Sequence, residues 1–131
     1  MSMASQFEVD SASLVALTSD LIAIPSVSLD ESAIADWVIA QLSLSSHLDV
    51  TRVGDNVIAR TAGDDRRRVL LAGHLDTVPV NYNAQPRVEG DKLYGLGSTD
   101  MKSGLAVMLA LAQHAHDFSV PLTFVFYVAE E

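Results

Sequence analysis

Apolar residues recur along the first part of the chain with helical spacing. Leu14, Leu17, Leu21 and Ile24 fall three and four apart after a capping position at Asp10 or Ser11, and Pro25 ends the pattern because it lacks a backbone donor. A second amphipathic helix is predicted from Ile34, Trp37, Val38 and Leu42, with Asp30 and Glu31 ahead of it, where negative charge favours a helix N-terminus. The pattern then changes. A β-branched stretch from Val50 to Val53, the turn Gly54-Asp55-Asn56 and the run Val57-Ile58-Ala59 predict a hairpin, with a further turn at Gly63-Asp64-Asp65. Val69-Leu70-Leu71-Ala72 is apolar without alternation, as is the stretch from Leu122 to Ala129, which predicts strands buried on both faces. Between them a helix is expected from about Ser103 to His116, with Leu105, Met108, Leu109 and Ala112 turned inward. Strand, crossover, helix and strand in that order predict an α/β domain whose mixed sheet is flanked by helices.

Length and composition narrow this further. With 131 residues, 49% of them hydrophobic, the chain can bury one core, so residues 1–131 are expected to form a single unit. A buried strand that stops two residues before the last position suggests the N-terminal portion of a longer catalytic domain. The formal charge of -9 disfavours nucleic acid and anionic membrane as partners, which need a basic face, and makes a cation the natural ligand. Cysteine is absent, so any metal must be held by His, Asp and Glu. The opening Met1-Ser2-Met3-Ala4-Ser5-Gln6 has no leader character, and no apolar run approaches the roughly 20 residues of a membrane span. A soluble, cytoplasmic protein is expected.

Candidate chemistry lies beyond the carboxyl ends of the apolar strands, where open α/β sheets collect ligands. Directly after one strand comes Gly73-His74-Leu75-Asp76-Thr77-Val78-Pro79, in which alternation puts His74 and Asp76 on one side. The glycine-rich Gly95-Leu96-Gly97-Ser98-Thr99-Asp100-Met101-Lys102-Ser103-Gly104 delivers Asp100 to the start of the long helix, and Glu130-Glu131 follow the last strand. Each has an ordinary reading by itself: polar decoration, a helix cap and a solvated strand end. The glycines do not make a dinucleotide loop, because the third glycine is missing and no apolar strand directly precedes them. His114 and His116 read as helix-end surface residues, Arg66-Arg67-Arg68 as a solvated turn, and Trp37 as core.

Taken in order, these segments, together with Phe126-Tyr127-Val128-Ala129-Glu130-Glu131, resemble the dinuclear zinc amidohydrolase and metallopeptidase family that includes aminoacylase, acetylornithine deacetylase and glutamate carboxypeptidase. The resemblance runs from about Leu14 to the end and implies the N-terminal part of a zinc-exopeptidase-like catalytic domain without its lid and dimerisation domain. It implies that His74 binds one zinc, that Asp76 orients His74, that Asp100 bridges two zinc ions, that Glu130 is the general base and that Glu131 binds the other zinc. Two further ligands, a Glu and a late His, would lie beyond residue 131, and a cis peptide is expected between Asp100 and Met101. The implied activity is amide hydrolysis by water activated between two zinc ions, for which cobalt can substitute, with an N-acyl amino acid as substrate and a homodimer as the full-length state. The wording from Asn56 to Thr61 and from Asp100 to Gly104 is most similar to actinobacterial-type desuccinylases of lysine and diaminopimelate biosynthesis. The alternatives are an acetylornithine deacetylase, another acyl amino-acid or dipeptide hydrolase, and, from another class, a non-catalytic binding protein on the same fold. The isolated chain is expected to bind zinc weakly, if at all, and to hydrolyse nothing.

Overall fold

A computed structural model describes residues 9–131. The opening segment Met1 to Gln6, read above as carrying no leader, lies outside them. Helix α1 (Ser11–Ile22) begins where Asp10 accepts the Ser13 amide at 2.9 Å, a side-chain cap for one of the orphan donors of a helix start. It ends before Pro25, leaving Ile24 outside the helix but packed on the core. Helix α2 (Ser32–Leu42) buries Ile34, Ala35, Val38 and Leu42, and Trp37 lies half-buried against the same core. Glu31 stands at its N-terminal boundary, where its carbonyl accepts the Ala35 amide but its side chain makes no capping bond.

The strands are β1 (Asp49–Val53), β2 (Asn56–Arg60), β3 (Val69–His74), β4 (Arg87–Glu89), β5 (Lys92–Tyr94) and β6 (Leu122–Tyr127), and the third helix is α3 (Ser103–His114). The main sheet has the order β1-β2-β6-β3, antiparallel except for β3 beside β6, and β4 and β5 form a separate hairpin. The parallel pair β3 and β6 needs a crossover, and α3 supplies it.

Helices α2 and α3 pack against each other and on the sheet, and α1 packs against α3. Val57 and Ala59 of β2, Phe124 and Phe126 of β6, and Leu105, Met108 and Leu109 of α3 form the centre of that core with Leu17, Leu21 and Val38. Gly73 sits where a Cβ would come within 2.9 Å of Met101 Cε and Met108 Sδ, so the absence of a side chain lets α3 lie close on β3.

The expectation that β3 is buried on both faces is corrected. Among the described residues β3 is the edge strand, and the helices lie on the face of Gly73, so Leu70 on the other face is 60% exposed; Val69, at the start of the strand, is 46% exposed. The arginine run also differs. Arg66 is solvated beside Asp64, but the Arg68 guanidinium turns inward and donates to the Thr61 and Leu122 carbonyls at 2.8 and 2.9 Å, tying the turn to the start of β6. His116 is exposed as expected, its ring against that of His47. Among the described residues no helix is long and apolar enough to cross a membrane.

Candidate metal centre

His74 is the last residue of β3 and is buried. Beyond it the chain stays extended: the Leu75 amide donates to the Tyr127 carbonyl, and Thr77 exchanges bonds with Ser26 and Ser28 of the loop before α2. The imidazole Nδ1 lies 2.9 Å from the Asp76 backbone carbonyl, and Nε2 lies 2.8 Å from Asp100 Oδ1. A carbonyl only accepts, so Nδ1 carries a proton, and in the neutral ring the lone pair is on Nε2, facing Asp100. Burial disfavours the imidazolium, but the bond to Asp100, the Asp76 carbonyl and the two nearby carboxylate charges outweigh it and hold the His74 pKa above 6.5.

Asp100 arrives from a different direction. Gly97 takes a left-handed φ of 81° and opens a wide turn over Ser98–Lys102, within which Asp100 and Met101 depart from helical geometry and the peptide between them is cis. The turn is fastened from below by Lys102, which is only 2% exposed and whose ammonium donates to the Leu21 and Ile24 carbonyls at 2.8 Å each, at the C-terminal end of α1. Burial pushes the Lys102 pKa down to about 8. The unfolded chain then holds this proton over a range where the folded chain has released it, so stability should rise as pH increases from about 8 to 10.5. The ceiling on that rise is about 3 kcal/mol, and the two carbonyls and the α1 dipole, which favour the charged form, keep it lower. Urea midpoints measured at pH 7.5 and pH 10 should show the rise in the wild type and not in Lys102→Met.

The third part of the site follows β6, where Ala129 has a φ of 60° and turns the chain out of the sheet. From Val128 on, past the end of β6, four amides in succession are held by side chains. Val128 donates to Asn56 Oδ1, Ala129 to Glu31 Oε2, Glu130 to Asp76 Oδ1 and Glu131 to Asp76 Oδ2, at 2.8–3.1 Å. Asp76, with no exposed surface, also accepts the Ser28 hydroxyl at 2.8 Å. The family resemblance implies that this carboxylate orients His74. The imidazole bonds instead to the Asp76 backbone carbonyl, with the carboxylate Oδ1 at 3.3 Å, and the carboxylate's close bonds go to the Glu130–Glu131 segment and Ser28.

The five residues singled out from the sequence therefore meet at one place. Ligand atoms of His74, Asp100 and Glu131 all lie within 4.8 Å of one another, and Glu130 Oε2 is 3.7 Å from His74 Nε2. Desolvation, the charges of Asp100 and Glu130, and a hydrogen bond to Asp100 raise the Glu131 pKa above 4.5. A cluster of carboxylates beside an imidazole nitrogen whose other nitrogen is tied to a carbonyl is a donor set that fits a divalent cation, whose charge relieves the repulsion. Sequence reasoning missed Ser28, Glu31 and Asn56 as parts of this site. Glu31 reads from the sequence as helix-dipole chemistry beside Asp30, Asn56 reads as part of a turn, and Ser28 carries no signal of its own.

Residues 70–131 match the model of Peptidase family M20/M25/M40. A Mycobacterium tuberculosis protein named as a succinyl-diaminopimelate desuccinylase is 50% identical over 118 residues, covering 89% of this chain and 33% of the relative. A Corynebacterium glutamicum succinyl-diaminopimelate desuccinylase is 42% identical over 123 residues, with the same two coverages. The chain thus spans about a third of the length of the curated relatives it matches. Among solved structures, a tripeptidase from Staphylococcus aureus superposes with a TM-score of 0.74 at 24% identity, over 89% of this chain and 36% of that one. Residues 70–131, which carry all five of these site residues, thus fall within peptidase family M20/M25/M40.

Proposed function

We propose that this chain is the N-terminal portion of the catalytic domain of a metal-dependent amide hydrolase that removes succinate from N-succinyl-diaminopimelate, in lysine and diaminopimelate biosynthesis. The observation that carries the reading is the convergence of His74, Asp100 and Glu131 beside Glu130, in a chain half-identical to a protein named for that reaction. The family implies a divalent metal. In the full reading the ions are two zinc, the enzyme is a cytoplasmic homodimer, and the lid domain lies outside residues 1–131.

Bound at this centre, the metal would supply Lewis acidity, making water more acidic and polarising the scissile carbonyl. His74 offers Nε2, with the ring fixed through Nδ1. Asp100 contacts His74 and is hydrogen-bonded to Glu131, so its carboxylate would help to hold the metal beside both. Glu130 accepts a proton from the attacking water and returns it to the leaving amine. Asp76 holds the backbone of Glu130 and Glu131, so that both carboxylates keep their separate tasks.

In the whole protein, Glu130→Gln should keep the fold and zinc binding while lowering kcat by roughly 10²–10⁴-fold, the usual contribution of a general base. Steady-state kinetics beside a zinc titration checks it, and near-normal turnover would remove Glu130 from the mechanism. A substrate panel tests the activity itself. N-succinyl-diaminopimelate should be hydrolysed in preference to N-acetylornithine with zinc or cobalt present, and the reverse preference would overturn the substrate assignment.

A further inference from the structure

The backbone that presents Glu130 and Glu131 is held in place from the loop ahead of α2. We propose that Glu31 is a positioning residue: its buried carboxylate holds the Ala129 amide and with it the left-handed turn that aims Glu130 and Glu131 at His74 and Asp100. Ala129 has a φ of 60°, a region that a residue with a Cβ enters only where its surroundings hold it. Glu31 Oε2 accepts the Ala129 amide at 2.8 Å, a charge-assisted bond placed at the turn itself. Glu31 is 3% exposed although it carries a carboxylate, and such burial persists where the oxygens are bonded.

A helix-cap role does not account for this residue, since its side chain makes no capping bond to α2. What stands behind it is rigid. Ile34, Ala35, Val38 and Leu42 anchor α2 in the core with no exposed surface. The loop before Glu31 is pinned to the His74 segment by the Ser28 amide on the Thr77 carbonyl and the Thr77 amide on the Ser26 carbonyl. Asn56 and Asp76 hold the amides on either side of Ala129, so Glu31 closes a continuous run of fastened backbone. Fixing a metal ligand through its backbone does for Glu131 what an outer hydrogen bond does for a ligating imidazole.

The inference rests on the metal-centre reading for one of its two readouts and is independent of it for the other. Amide hydrogen exchange and zinc titration would be measured on the chain and on Glu31→Leu, Glu31→Asp and Glu31→Gln. Glu31→Leu should speed exchange of Ala129, Glu130 and Glu131 together by more than about tenfold and weaken zinc by about 10–100-fold. Glu31→Asp, one methylene shorter, should show the same pattern in smaller measure and covers the case in which the leucine variant does not fold. Glu31→Gln keeps an acceptor at the same reach and should restore both readouts to within about threefold. Faster exchange confined to Ala129 in Glu31→Leu or Glu31→Asp, with Glu130, Glu131 and zinc affinity unchanged, would overturn the proposal. A glutamine variant no better than leucine would do the same. If the wild type binds no zinc, the metal-centre reading fails, and the joint or separate response of the three amides still decides the role of Glu31.

Discussion

Asp76→Ala is expected to destabilise the folded chain by about 2–4 kcal/mol and to disorder the segment that carries Glu130 and Glu131. The carboxylate has no exposed surface and accepts three bonds, from the Ser28 hydroxyl and the Glu130 and Glu131 amides. Each donor left without a partner in a buried place costs about 1–3 kcal/mol, but Glu130 and Glu131 are themselves exposed, so water replaces part of what is lost. That places the estimate below the simple sum. Asp76→Asn should move in the same direction, because its amide group turns a donor toward donors. A lower urea midpoint at unchanged slope is the expected observation, and a midpoint within error of the wild type would remove Asp76 from this role.

The same carboxylate makes a pH prediction. Burial opposes its ionisation, but the Glu131 amide, the Ser28 hydroxyl and the Glu130 amide outweigh burial and hold the pKa below 3.8. A depressed folded-state value means that this contribution is fully present above 3.8 and is lost as pH falls through the lower folded value. Acid unfolding of the wild type should therefore contain a component that Asp76→Ala lacks.

Much of this was legible in the sequence where one period or one short segment carried the signal. Leu17, Leu21, Val38, Leu105, Met108 and Leu109 are buried where helical spacing put them. The metal-centre residues lie in compact segments with distinctive neighbours, which is why His74, Asp100 and Glu131 could be named together. Context was what the sequence lacked. The apolar β3 looks like an interior strand and is an edge strand among the described residues, since hydrophobicity does not say how many neighbours a strand finds within this stretch of chain. The last strand ends at Tyr127 instead of Ala129 because the left-handed turn takes the chain out of the sheet. The hairpin of β4 and β5 went unread: Arg87-Val88-Glu89 and Lys92-Leu93-Tyr94 are short and charged, with too few apolar positions to set a period. Asn56, Ser28 and Glu31 reach their partners across 72, 48 and 98 positions, and an isolated Asn, Ser or Glu carries no mark of such a distant bond.

The largest expected effect is on metal binding. Removing His74 deletes the single imidazole of the ligand set, so His74→Ala should weaken zinc by more than the roughly 10–100-fold typical of losing an outer partner. Protons compete for the same nitrogen. In the metal-free chain the His74 value is raised above 6.5, so its bond to Asp100 stabilises the fold fully below 6.5 and that contribution fades as pH rises through the raised value. Zinc binding should run the other way, tightening with pH over the same range and releasing protons.

A zinc titration of the wild type, His74→Ala and Asp100→Ala, followed through the His74 imidazole NMR signals, tests the central claim most directly. His74, Asp100 and Glu131 are the one such ligand group among the described residues, so wild-type binding should be weak but centred there. Zinc should shift the His74 ring signals in the wild type, and both variants should lose the binding. Zinc bound with the same affinity in all three chains, or bound without disturbing His74, would contradict the assignment of the metal centre.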